Sequence, residues 1–255
     1  MGGTMEFVRI EREAEIAVLY LDRPPVNAVD LELLNEARVA VEELSKDDGV
    51  GSVVLTGAGR CFCAGLDLKA VPNYERARQL EYIQLTNRVI TDVFSAPKPT
   101  VAAVNGPATA GGFILAMCCD YRIGATGDYP LGVTESRVGI PFPISTLEVL
   151  RQELSHPAFR RLLLTGISHG PERALEWGIL DELSPPDMLL SRAKEMAADL
   201  ATLPRGPYNR IKRQVKGDAI EMIESVIASG EPMFESWITD EGMAGAAEMI
   251  ERQKR

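Results

Sequence analysis

The sequence predicts an α/β fold with a helical C-terminal region, on three observations. Short β-rich runs alternate with stretches of helical periodicity as far as about residue 143. Beyond that point the pattern is mostly helical. The chain has 255 residues, 45% of them apolar and 25% charged, which suits one large α/β domain with an appendage. The prolines of SPPD (184–187) mark a boundary, giving a core over 1–190 and a helical region over 191–255.

The elements follow in order. EFVRIE (6–11) and EIAVLYLD (15–22) are β-rich runs joined by a short charged turn, so they read as a hairpin. Two prolines keep RPPVNAVD out of a helix. Asp30 is placed to cap a helix from Leu31 to about Ser45, with Leu34, Ala37, Val41 and Leu44 on one face. SVVLTG (52–57) is a buried strand, GRCFCAGLDL (59–68) is irregular, and an amphipathic helix covers roughly 74–95. TVAAVNG (100–106) is another short buried strand, and Gly111 and Gly112 then open a short apolar helix to about 118. YRIGA (121–125) returns as a strand. PISTLEVLRQEL, PAFRRLLLTG and GPERALEWG are helical, GILDEL (178–183) is a strand, and long helices run from 187.

Composition excludes several classes of function. A net charge of −10 gives no basic face for nucleic acid. Wholly apolar runs fall far short of the roughly 18–20 residues of a membrane-spanning helix. The N-terminal stretch carries acids and no apolar h-region, unlike a secretory signal or a transit peptide. Cys61, Cys63, Cys118 and Cys119 lack zinc-knuckle spacing and read as reduced and buried, so no metal site is expected. These features point to a cytoplasmic protein, or to an organelle matrix if a targeting segment has been removed.

Two segments carry the chemistry. The first backbone N–H groups of the helix opened by Gly111 and Gly112 have no internal partner, and glycine lets a ligand approach them. The pair either builds an anion site or simply permits tight packing. CFCAGLDL repeats the form, a strand and then small residues. Two such N–H donors converging on one oxygen would make an oxyanion hole. No G-x-G-x-x-G or G-x-x-x-x-G-K-[ST] motif occurs, and no Ser-His-Asp order accompanies a nucleophile elbow.

RPPVNAVD, VVLTGAGRCFCAGLDL, PKPTVAAVNGPATAGGFILAMCCDYRI, LGVTESRVGI and LTGISHGPERALEWGILDEL, in that order and spacing, resemble the enoyl-CoA hydratase/isomerase (crotonase) superfamily. The resemblance covers residues 20–185 or so. It implies a crotonase-like spiral of ββα units, a helical C-terminal region used for assembly as a homotrimer or dimer of trimers, and an acyl-CoA thioester as substrate. Coenzyme A enters as part of that substrate, with no separate cofactor, nucleic acid or membrane partner.

The resemblance also implies roles, residue by residue. The N–H groups of Leu66 and Gly111 are the oxyanion donors. Val26, Ala64, Gly65, Asp67 and Leu68 cradle the CoA moiety, and Asp67 also reads as holding the loop through backbone bonds. Ile114, Thr134 and Phe142 line the acyl end. Lys69 and Arg23 are either phosphate contacts or ordinary surface charges. The terminal ERQKR is favourable charge at a helix end or a minor phosphate contact. His156, His169 and the cysteines have no catalytic context, and Asp120 reads as structural.

Hydratases of this superfamily carry two glutamates, one at the place of Ile114 and one at the place of Glu135. Only Glu135 is present here. Adding water divides work between two carboxylates, whereas moving a double bond asks one carboxyl to take a proton and return it. The pattern is similar to the Δ3,Δ2-enoyl-CoA isomerase branch, which implies isomerisation of 3-enoyl-CoA to trans-2-enoyl-CoA. Hydration, another thioester reaction such as hydrolysis or decarboxylation, and non-catalytic acyl-CoA binding are the alternatives. Apolar surroundings are expected to raise the Glu135 pKa.

Overall fold

A computed structural model describes residues 5–253; Met1–Thr4 and the last two residues of the ERQKR end lie outside it. The expected hairpin is β1 (Val8–Glu13) and β2 (Ile16–Leu21), antiparallel with Val8 opposite Leu21. β3 (Ser52–Gly57), β4 (Thr100–Val104), β6 (Tyr121–Ala125) and β8 (Glu182–Ser184) then add in parallel, giving a sheet in the order β1-β2-β3-β4-β6-β8. The central strands β2, β3 and β4, buried on both faces, are near-continuous runs of Val, Leu, Ile and Ala.

After each strand the chain makes a second, shorter pairing before entering a helix. Val29, following β2, bridges Leu66, following β3; Cys63 bridges Ala108, following β4; and Leu131 bridges His169. Between them β5 (Ala108–Thr109) and β7 (Leu131–Gly132) pair in parallel, Ala108 with Leu131 and Thr109 with Gly132. Successive turns therefore stack as a spiral with a sheet, a narrow second layer and an outer helix.

The helices of the spiral are α1 (Leu31–Lys46), α2 (Arg76–Phe94), α3 (Gly111–Met117), α4 (Glu135–Val138), α5 (Ile144–Glu153), α6 (His156–Thr165) and α7 (Pro171–Glu176). Asp30 caps α1 by accepting from Leu33 N at 2.9 Å, a bond of the kind that stabilises a helix by about 1 kcal/mol. The helix expected over 74–95 begins instead with a 3-10 turn, Val71–Asn73, and α2 itself starts at Arg76. The strand expected over 178–183 shrinks to β8. Ile179 N and Leu180 N both donate to Ala174 O and close the end of α7, and Gly178 sits at φ 69°, so residues 178–181 form a helix cap.

Beyond the spiral lie α8 (Leu189–Ala201), α9 (Arg205–Ser229), α10 (Phe234–Trp237) and α11 (Asp240–Gln253). α8 does not stand apart. Leu189, Ala193 and Ala197 bury against Val18, Val54, Val101 and Ile123 on one face of the sheet, while the larger core fills the other. Residues 191–201 thus complete the core of the preceding segment. No helix among the described residues is long and apolar enough to cross a membrane.

α9 is tied to the spiral by buried charge. Asp120, just after α3, pairs with Lys212 at 2.8 Å and Lys216 at 2.9 Å and accepts from the Tyr208 hydroxyl at 2.9 Å. Burial opposes ionisation of Asp120, but the two ammonium groups outweigh it and hold the carboxyl below its ordinary value. Asp120→Asn leaves the lysines without their main counter-charge and is expected to cost roughly 3–5 kcal/mol, read as a lowered urea midpoint. An unchanged midpoint would contradict the pairing.

Candidate active site

The loop over residues 64–68 is held by Val29. Its N–H donates to Gly65 O at 2.7 Å and its carbonyl accepts from Asp67 N at 2.9 Å. In such a parallel bridge the residue between the two partners turns its own N–H to the opposite side. Leu66 is that residue, and among the described residues its N–H meets no protein acceptor.

Gly111 offers a second free backbone N–H beside the first. It is the first residue of α3, where an N–H has no helical acceptor. Ala110 before it takes φ 51°, a region costly for a residue with a Cβ. Ala110 N donates to Gly132 O at 2.9 Å and its carbonyl accepts from Ile114 N at 3.1 Å, so both sides of the strained residue are pinned. A methyl placed on Gly111 would lie 3.6 Å from Gly65 Cα and 3.9 Å from Leu66 N. The two N–H groups therefore border one small space. Gly112 has a different role: a methyl there would overlap the Cys63 carbonyl, so this glycine serves packing.

Glu135 reaches the same end of the molecule through the narrow layer. β5 and β7 run in parallel, so Gly111, two residues past Thr109, and Glu135, three past Gly132, leave side by side. Glu135 opens α4, a single turn. Gly139 at φ 80° ends it, and Pro141 and Pro143 prevent its continuation. Its Oε2 is buried and has no hydrogen-bond partner. Burial pushes the Glu135 pKa up to about 7, against a smaller opposing effect of the backbone N–H groups of Glu135 and Thr134. A buried, unpartnered carboxyl oxygen with a near-neutral pKa is suited to taking and returning a proton.

The other expected residues are placed as follows. Val26 is 39% exposed on the lip, and its carbonyl accepts from Ala64 N at 3.0 Å. Leu68 and Phe142 are half-buried against the main core, and Thr134 precedes α4 without capping it by its side chain. Ile114 is 1% exposed in the main core. Asp67 accepts from Lys69 N and Ala70 N, holding the loop. Lys69 is exposed. Arg23 departs from the phosphate reading. It pairs with Asp30 at 2.7 Å and Asp67 at 2.9 Å and donates to Ala28 O at 3.0 Å. Two carboxylates already neutralise it, so it braces the α1 cap against the loop over residues 64–68.

Cys61, Cys63, Cys118 and Cys119 are free and buried, and burial pushes the thiol of Cys61 up to about 11 and that of Cys63 to about 12. Thiols of that kind are poor nucleophiles near neutrality. His169 stacks edge-on to Trp177, with centroids 4.6 Å apart.

Sequence reasoning missed Asn27. At φ 53° and 1% exposed, it donates its amide to Ala58 O, Cys61 O and Phe62 O and accepts from Arg23 N. The available signal was its type, because Asn is one of the few residues that tolerates the left-handed region. The strain at Ala110 had no sequence signal.

A spiral of ββα turns with a narrow second layer and a helical C-terminal region is the crotonase fold. Residues 11–255 match the family model for enoyl-CoA hydratase/isomerase, and the chain belongs to that family. It is 33% identical over 199 residues to mitochondrial enoyl-CoA delta isomerase 1 of Mus musculus, across 77% of this chain and 69% of the relative. A putative enoyl-CoA hydratase of Thermus thermophilus is 35% identical over 204 residues, across 76% of this chain and 77% of that protein. The crystal structure of human mitochondrial delta3-delta2-enoyl-CoA isomerase superposes with a TM-score of 0.90 at 28% identity, covering 98% of each chain.

Proposed function

We propose that this enzyme isomerises 3-enoyl-CoA to trans-2-enoyl-CoA. Ionised Glu135 takes a proton from C2. The electron pair delocalises into the thioester, and the N–H groups of Leu66 and Gly111 hold the enolate oxygen. Glu135, now neutral, returns the proton to C4 as the double bond settles between C2 and C3. The step moves one proton and is redox-neutral, so the only cofactor chemistry it needs is the thioester's own. The observation that carries the reading is the buried, unpartnered Oε2 of Glu135, with apolar Ile114 on α3.

The deciding assay follows conjugated-thioester absorbance. A gain with 3-hexenoyl-CoA supports isomerisation. Loss with crotonyl-CoA and none of that gain would replace it with hydration.

The pH dependence has a definite sign. Only the ionised carboxyl can act as base, and its pKa is about 7. The kcat/KM is therefore expected to rise with pH through a midpoint near 7 and level off above it. A flat profile from about pH 5 to 8 would remove Glu135 as the base.

We propose a trimer or dimer of trimers as the assembly. Its support is the exposed apolar row Ile211, Val215 and Met222 on one face of α9. Light scattering tests it, and a monomer at micromolar concentration would refute it.

A further inference from the structure

We infer that Tyr82 is a positioning residue for the Leu66 oxyanion donor, and that Trp237 of the C-terminal arm holds Tyr82 in place. The inference rests on the thioester reading of the site. Tyr82 lies on α2 and is 4% exposed. Its hydroxyl donates to Val29 O at 3.2 Å. Val29 is the residue whose two backbone bonds turn the Leu66 N–H outward, and its carbonyl shares its lone pairs between Asp67 N and Tyr82. Burying a phenol is unfavourable unless its hydroxyl is bonded. Here the bond falls on the clamp of the oxyanion loop. Burial raises the Tyr82 pKa well above its ordinary value, so the hydroxyl keeps its donor proton across the working range.

Tyr82 is itself braced by a remote part of the chain. Its ring stacks on Trp237, centroids 5.5 Å apart and planes 19° apart, and Trp237 is 2% exposed. The arm carrying Trp237 is pinned on its N-terminal side. Glu231 accepts from Asn87 Nδ2 at 2.8 Å and Ile144 N at 3.1 Å, and Arg76 donates to Phe234 O at 2.6 Å while lying over the Phe234 ring. On its C-terminal side α11 rests against α4, where a methyl on Gly245 would overlap Val138 O. The same arm therefore bears on the oxyanion loop through Trp237 and Tyr82, and on the Glu135 helix through Gly245.

The test uses the full chain with Tyr82→Phe, which keeps the ring and removes the hydroxyl. Three readouts are taken: kcat and KM for 3-hexenoyl-CoA, the melting temperature, and the absorption of bound 2,4-hexadienoyl-CoA. That probe shifts to the red when its thioester carbonyl is polarised. The expected result is a kcat loss of roughly tenfold, part of the 10²–10³ that removal of a whole donor costs. KM should stay within about twofold and the red shift should shrink. Trp237→Leu should reproduce the pattern, and Trp237→Phe, which keeps a stacking ring, should restore most of it. A Tyr82→Phe enzyme with normal kcat per folded molecule and a full red shift overturns the inference, whatever its melting temperature. So does a kcat loss with an undiminished red shift. The probe reports polarisation whichever reaction follows. A wild-type enzyme that shifts the probe yet leaves 3-hexenoyl-CoA unchanged would overturn isomerisation and leave the role of Tyr82 standing.

Discussion

Glu135→Gln is expected to lower isomerase turnover by roughly 10³–10⁴, the upper part of the range for loss of a general acid–base group, while CoA-ester affinity stays close to that of the parent. Gln keeps the shape of the side chain but can neither take nor return the proton. The same variant should be more stable at neutral pH. The carboxyl is held near pKa 7 in the folded chain, above its ordinary value of 4.5. A raised acid binds more protons folded than unfolded, so stability falls as pH rises from about 4.5 through 7 and stays low above. The glutamine variant escapes this loss. Its gain should be on the order of 2 kcal/mol at pH 8, with partial solvent access discounted, and should vanish below about pH 4.5. Turnover of 3-hexenoyl-CoA with titration of a dienoyl-CoA checks the first half, and melting curves across pH check the second. Retained turnover would remove Glu135 from the mechanism. A variant no more stable at pH 8 would refute the buried, raised carboxyl.

The second large effect concerns Gly111. Gly111→Ala is expected to cost roughly 10²–10³ in kcat, the cost of losing one oxyanion donor, with little change in folding. The space around Gly111 admits a methyl at ordinary contact distance, 3.6 Å from Gly65 Cα, yet that methyl points toward Leu66 N at 3.9 Å and crowds the place where the thioester oxygen would sit. Gly112→Ala should show the reverse, poor folding, because its methyl meets the Cys63 carbonyl. Activity per folded molecule, with circular dichroism, separates the two. Equal losses in both variants would mean that Gly111 serves packing alone.

Long elements with one dominant signal were legible. β3 and β4 fall in the apolar-rich runs SVVLTG and TVAAV, β6 coincides with YRIGA, and α1 starts where an Asp precedes an amphipathic pattern. β5 and β7 were not legible. Two residues carry no periodicity, and their strand character exists only because each finds the other across more than twenty residues of sequence. The GILDEL run was misread for a related reason. Its apolar Ile179 and Leu180 bury as a helix cap, which composition does not distinguish from a strand. Arg23 resembled a free cation in sequence, and only folding brings Asp30 and Asp67 to either side of it.

The sequence by itself determined the alternation of strand and helix, the paired glycines, and a lone glutamate at 135 with isoleucine at 114. Those are matters of residue type and local spacing. Tertiary structure decided what these residues can do. The direction of the Leu66 N–H depends on Val29, and the strain at Ala110 on bonds to Gly132 and Ile114. The pKa of Glu135 depends on burial supplied by elements far away in the chain. Local patterns select elements because helices and strands are stabilised by neighbours in sequence. A backbone N–H is aimed, and a carboxyl desolvated, only by groups that the whole fold brings together.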